Sequence, residues 1–126
     1  MFPSHDQSRT DYKYQHEPIL YGWKVKEKHN FYGENNNSTV LNFDKPKQSK
    51  LHPTMKPIEL LQYLIINSTK VNEWVLDPFG GSGSTLIACE QIKRNCYMIE
   101  LDPAYCDVII ERWENLTGQK AELING

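Results

Sequence analysis

The sequence predicts an α/β fold, a parallel and doubly wound sheet preceded by a small N-terminal hairpin. Residues 73–78 (EWVLDP) and 95–101 (NCYMIEL) are short apolar runs of strand length. Between them sits a glycine turn, GGSGS at 80–84, followed by an apolar helical stretch. Strand, tight turn, helix and strand in that order make the βαβ unit of a parallel sheet. The 126 residues suffice for one compact domain, and 39% hydrophobic with 24% charged residues is the balance of a globular one.

Each element follows from local chemistry. Residues 1–15 are polar, mixed in charge and without period, so they read as a flexible arm before a domain over 16–126. Residues 17–25 (EPILYGWKV) are β-prone, with Gly22 marking a bulge, and 38–43 (STVLNF) form a second short strand. The Asn- and Gly-rich stretch 29–37 loops between them, which completes the expected hairpin. A Lys- and Pro-rich connector covers 44–53. Pro57 suits the first turn of a helix, and Ile58, Leu61, Leu64 and Ile65 recur at helical spacing, giving a helix over 57–67. After the glycine turn, Leu86, Ile87, Ala88, Cys89 and Ile92 form a helix ending near Arg94. Asp102 followed by Pro103 is a helix start; Tyr105, Ile109, Trp113 and Leu116 line one face, and Gly118 ends it. The tail AELING begins one more strand.

Composition narrows the function. A net charge of −2 and a pI near 6.1 weigh against a dedicated nucleic-acid-binding domain. Lysines 24, 26, 28, 45, 47 and 50 nevertheless gather in the first half, so a local DNA-facing surface stays open. No apolar run approaches the roughly 20 residues of a membrane span, and the first residues lack a signal-peptide core; the expected location is the cytoplasm, with no membrane partner. Cys89, Cys96 and Cys106 have no CxxC spacing and read as small buried hydrophobes rather than zinc ligands or a disulfide framework.

The βαβ unit carries the chemistry. Parallel sheets bind ligands beyond the carboxyl ends of their strands, where the turn after residue 78 lies. Gly80, Gly81 and Gly83 allow close backbone approach, and the following helix N-terminus attracts anionic groups. Glu100, at the end of the second strand, is placed to accept both hydroxyls of a ribose. A phosphate-cradling Gly-Lys-Ser/Thr is absent, and the reading G-S-G-S-T-L from Gly81 lacks the third glycine of a dinucleotide fingerprint. Asp77 before the turn would repel a pyrophosphate and suits a positive amino group. S-adenosylmethionine, with a ribose, an ammonium and no phosphate, fits these features.

HPTMKP (52–57), LDPFGGSGST (76–85) and IELDP (99–103) together resemble the C-terminal half of amino-group DNA methyltransferases that modify adenine N6 or cytosine N4. Their order resembles the beta class, as does HEPILYG (16–22), and the resemblance covers roughly residues 16–122. It implies a partial Rossmann-like, S-adenosylmethionine-dependent fold, with 16–126 as its cofactor-binding half. It also implies roles. Asp77 binds the cofactor's amino group; Phe79, Gly80, Gly81, Ser82 and Gly83 wrap its methionine and sugar; Glu100 holds the ribose; Thr54 and Lys56 meet the methionine carboxylate. Asp102 reads as a helix cap, Tyr105 as packing, and His52 as either an anchor or a site residue.

The family's catalytic motif, Asp/Asn/Ser-Pro-Pro-Tyr/Phe/Trp, hydrogen-bonds the target amino group and stacks on a base flipped from the duplex. No such string occurs here; Asp77-Pro78-Phe79 and Asp102-Pro103-Ala104 come nearest and belong to other sites. The strand bearing that motif would adjoin residues 73–78, so their outer edge is expected to be unpaired. Two readings follow: part of a split or truncated enzyme acting on double-stranded DNA with an upstream polypeptide, or a non-catalytic binding module or remnant.

Overall fold

The computed structural model describes residues 11–44 and 55–125. Its elements are α1 (Ile58–Ser68), β1 (Trp74–Asp77), α2 (Ser84–Gln91), β2 (Asn95–Met98) and α3 (Pro103–Thr117). β1 and β2 run parallel, Trp74 opposite Asn95 through Asp77 opposite Met98. A parallel pair needs a crossover, and α2 supplies it. The expected parallel α/β unit is therefore present.

α2 packs on β2, and α1 and α3 both pack against α2. Ile87, Ala88 and Cys89 of α2, with Ile109 of α3, are the buried apolar residues at the centre. Alternation along the strands turns Val75 and Cys96 toward this core. Cys89 is fully buried and its thiol pairs with that of Cys96; the bond and burial push the Cys96 thiol well up from its usual value. Such a thiol stays protonated and unreactive. Arg94 ties the C-terminal ends of α1 and α2 together, donating from Nε to Thr69 Oγ1 at 3.1 Å and from Nη2 to the Thr69 carbonyl at 2.9 Å.

Among the described residues the opposite sheet face is exposed. Trp74, Leu76 and Tyr97 point outward at 59%, 66% and 61% exposure, with the Trp74 and Tyr97 rings stacked at 4.4 Å. Among the described residues β1 pairs only with β2, and its outer edge carries no ladder. Parallel sheets are ordinarily covered on both faces.

Helix ends obey the local rules. Asp102 caps α3 by accepting from the Ala104 N–H at 2.9 Å, Pro103 follows at the first helical position, and Gly118 closes the helix at φ 72°. Pro57 stands one residue earlier than expected, as the N-cap of α1. α2 ends at Gln91 rather than Arg94, because the chain turns through Lys93 at φ 59° to re-enter the sheet.

The expected N-terminal hairpin is not formed. Residues 17–25 and 38–43 contain no strand, and the tail 121–125 adds none. β-prone composition makes a strand only where a ladder partner stands within reach, and no edge accepts these segments. Residues 21–31 fold back instead through a turn at Lys24–Glu27, where Glu27 N–H reaches the Lys24 carbonyl at 3.2 Å. Aromatic ring contacts hold that fold-back. Residues 1–10 of the expected arm, residues 45–53 of the connector with His52, and Thr54 lie outside the described residues.

Candidate cofactor site

The site is built where β1 and β2 both end. From Asp77 the chain turns through Pro78 and Phe79 into the glycine segment, and α2 begins at Ser84. The Phe79 N–H donates to Asp77 Oδ1 at 2.9 Å, which fixes the carboxylate at the head of the turn. The other oxygen, Oδ2, accepts no hydrogen bond among the described residues. Main-chain bonds extend the sheet past both strands: Ile99 N–H to the Asp77 carbonyl at 3.0 Å, and Gly80 N–H to the Ile99 carbonyl at 2.8 Å.

Two of the glycines are closely packed. A Cβ on Gly80 would lie 2.7 Å from Met98 Cγ. Gly83 sits at φ +84°, and a Cβ there would meet Ile109 Cγ1 at 3.0 Å. The turn is thus pressed onto β2 and α3 and held rigid. Gly83 also serves as the N-cap of α2, with no side-chain cap, so the helix's first N–H groups remain available at the turn.

Glu100 locks the other side. Its Oε2 accepts from the Gly81 N–H at 2.6 Å, and its Oε1 accepts from the Asp102 N–H at 2.9 Å. The structure thus brings Asp77, Phe79, Gly80, Gly81, Ser82, Gly83 and Glu100 into one turn system. The Phe79 ring stands exposed beside it. Lys56 is ion-paired, its Nζ 3.1 Å from Glu17 Oε2. Among the described residues, no group of three or more His, Cys, Asp or Glu side chains is placed to hold a metal ion, and no helix is long and apolar enough to cross a membrane.

Sequence reasoning missed Arg112. From α3 its Nη1 donates to the Ser82 carbonyl at 2.7 Å and reaches Ser82 Oγ at 3.2 Å and Ser84 Oγ at 3.4 Å. Ser82 and Ser84 are both buried, so this guanidinium satisfies the polar floor of the turn. Burial lowers its own pKa from the ordinary arginine value. The signal was a charge three residues after Ile109, on the helix stripe that otherwise packs. Arg112→Met keeps an apolar stem and removes the donor. It is expected to cost about 1–3 kcal/mol in urea unfolding; an unchanged midpoint would remove Arg112 from the turn's supports.

A family model described as DNA methylase, of the N6/N4 type, matches residues 2–111. The type II methyltransferase M.Cfr9I of Citrobacter freundii is 36% identical over 109 residues, covering 86% of this chain and 35% of that protein. The crystal structure of an M1.HpyAVI–SAM complex is similar with a TM-score of 0.58 and 37% identity over 71% of this chain and 45% of that one. TTHA0409 of Thermus thermophilus, in complex with S-adenosyl-L-methionine, gives a TM-score of 0.51 and 36% identity over 56% of this chain and 30% of that one. The chain spans about a third of the length of M.Cfr9I. With the family model matched over residues 2–111 and the turn system intact, the chain belongs to the N6/N4 DNA methylase family.

Proposed function

We propose that this chain is the S-adenosylmethionine-binding part of a DNA methyltransferase that modifies the exocyclic amino group of adenine or cytosine. The observation that carries the reading is the Gly80–Gly83 turn between β1 and α2, clamped by Glu100 from the end of β2 with Asp77 at its head. The residues fit the cofactor: Asp77 Oδ2 for the ammonium, the Glu100 carboxylate for the ribose, and the exposed Phe79 with the glycine turn for the methionine and sugar. Two solved neighbours are complexes with this molecule. When bound, S-adenosylmethionine supplies an activated methyl group; the chain's residues hold and orient it. Thr54 and Lys56 are proposed for the methionine carboxylate, with Lys56 leaving Glu17 to do so.

Catalysis needs the Pro-Pro motif that this sequence lacks. The bare Trp74, Leu76 and Tyr97 face and the open β1 edge support a second polypeptide segment that completes the sheet and brings that motif to double-stranded DNA. Incubating the purified chain with DNA and methyl-labelled cofactor is expected to leave the DNA unlabelled. Labelling by the chain alone would show that catalysis resides in residues assigned here to binding.

A further inference from the structure

Residues 21–31 form a surface that the cofactor site does not use. The rings of Trp23 and His29 stack at 3.6 Å and 16°, and Tyr21 packs edge-on against Trp23, His29 and Phe31. Trp23 and Tyr21 nevertheless stay 53% and 58% exposed. His29 covers one face of the indole, so that exposure leaves the ring open to a further stacking partner. The turn joining the two arms is basic: three lysines against one glutamate give residues 21–31 a net charge of +2, in a chain whose total is −2. Lys24 is engaged with Glu27 at 2.8 Å, whereas Lys26 and Lys28 make no ion pair among the described residues and project from the turn.

We propose that this fold-back is a docking surface for single-stranded DNA, a base extending the Trp23–His29 stack while Lys26 and Lys28 meet the flanking phosphates. Open aromatic faces beside a local positive field are what unstacked nucleic acid binds, because every base has a π-face and every linkage a charge. An uncharged apolar partner covering the same rings gains nothing from the lysines, whereas a strand of stacked bases on a phosphate chain uses both. The choice of DNA as the polymer rests on the methyltransferase reading; the stacking and the charge do not.

The test uses the full chain and oligothymidine at low salt, followed by tryptophan emission and by anisotropy of a labelled strand. Saturable quenching is expected. Trp23→Ala should weaken binding about tenfold, and Trp23→Phe should keep most of the affinity while losing the quench. The double variant Lys26→Gln, Lys28→Gln should flatten the log–log salt dependence by about 1.4, roughly 0.7 for each phosphate contact on a single strand. All three variants should bind S-adenosylmethionine as the parent does, since the fold-back shares no residue with the turn system. No binding of oligothymidine by the parent chain, a Trp23→Ala variant that keeps the parent's affinity, a double lysine variant that keeps its salt slope, or binding confined to blunt duplex would each overturn the proposal. Oligothymidine binding through Trp23 without cofactor binding would leave this surface standing and sink the cofactor reading instead.

Discussion

Gly83→Ala is expected to destabilise the domain by about 2 kcal/mol. A residue with a Cβ in the left-handed region costs roughly 1–2 kcal/mol, and Gly83 sits at φ +84°. The new methyl group would also lie 3.0, 3.2 and 3.3 Å from Ile109 Cγ1, Cγ2 and Cβ. Ile109 is buried and stiff at χ1, so α3 must move rather than the side chain. Gly80→Ala makes the useful contrast. Its Cβ would approach Met98 Cγ at 2.7 Å, but methionine is unbranched and swings aside, and Gly80 does not have a positive φ. Urea unfolding followed by circular dichroism should therefore rank Gly83→Ala below Gly80→Ala, and both below the parent. Equal midpoints for Gly83→Ala and the parent would mean that the turn is not pressed onto α3.

Glu100→Ala is expected to weaken S-adenosylmethionine binding by roughly tenfold to a hundredfold, the worth of one charge-assisted hydrogen bond. Glu100 has two tasks in this account. It accepts from Gly81 and Asp102, which shapes the turn, and it offers its carboxylate to the ribose hydroxyls. Glu100→Gln separates them. The amide keeps the length of the side chain and one acceptor oxygen, but aims an NH2 group at a backbone N–H and carries no charge. Its stability should fall between those of the parent and the alanine variant, while its cofactor affinity drops with both. Lower stability with an unchanged dissociation constant in either variant would reduce Glu100 to a staple of the turn.

The C-terminal half was legible because its signals are local. Asp102 with Pro103 and the left-handed Gly118 mark the ends of α3 by hydrogen bonding within a few residues. The spacing of Ile58, Leu61, Leu64 and Ile65 finds α1 because one face must pack, and EWVL and NCYM are strand-like runs that α2 brings side by side. The glycine turn was legible as a turn, and its neighbours Asp77 and Glu100 as acids at strand ends. That Glu100 accepts from the turn, and that Arg112 floors it from 30 residues beyond Ser82, depends on tertiary approach; the local pattern shows only a charge on the packing stripe of α3. The N-terminal strands failed for the complementary reason. EPILYGWKV has the composition of a strand, but a strand exists only with a partner, and aromatic stacking took those residues into a fold-back instead. Lys56 shows the same limit: sequence order set it before α1, and its ion pair with Glu17 follows from the path of the chain.

The most direct test of the central claim is calorimetric titration of the purified chain with S-adenosylmethionine, after circular dichroism has confirmed its helices. Binding at one site per chain, lost or weakened in Glu100→Ala, is the predicted result. A folded chain that gives no binding signal would contradict it, because the turn, Asp77 and Glu100 would then be present and arranged as described without making a cofactor site.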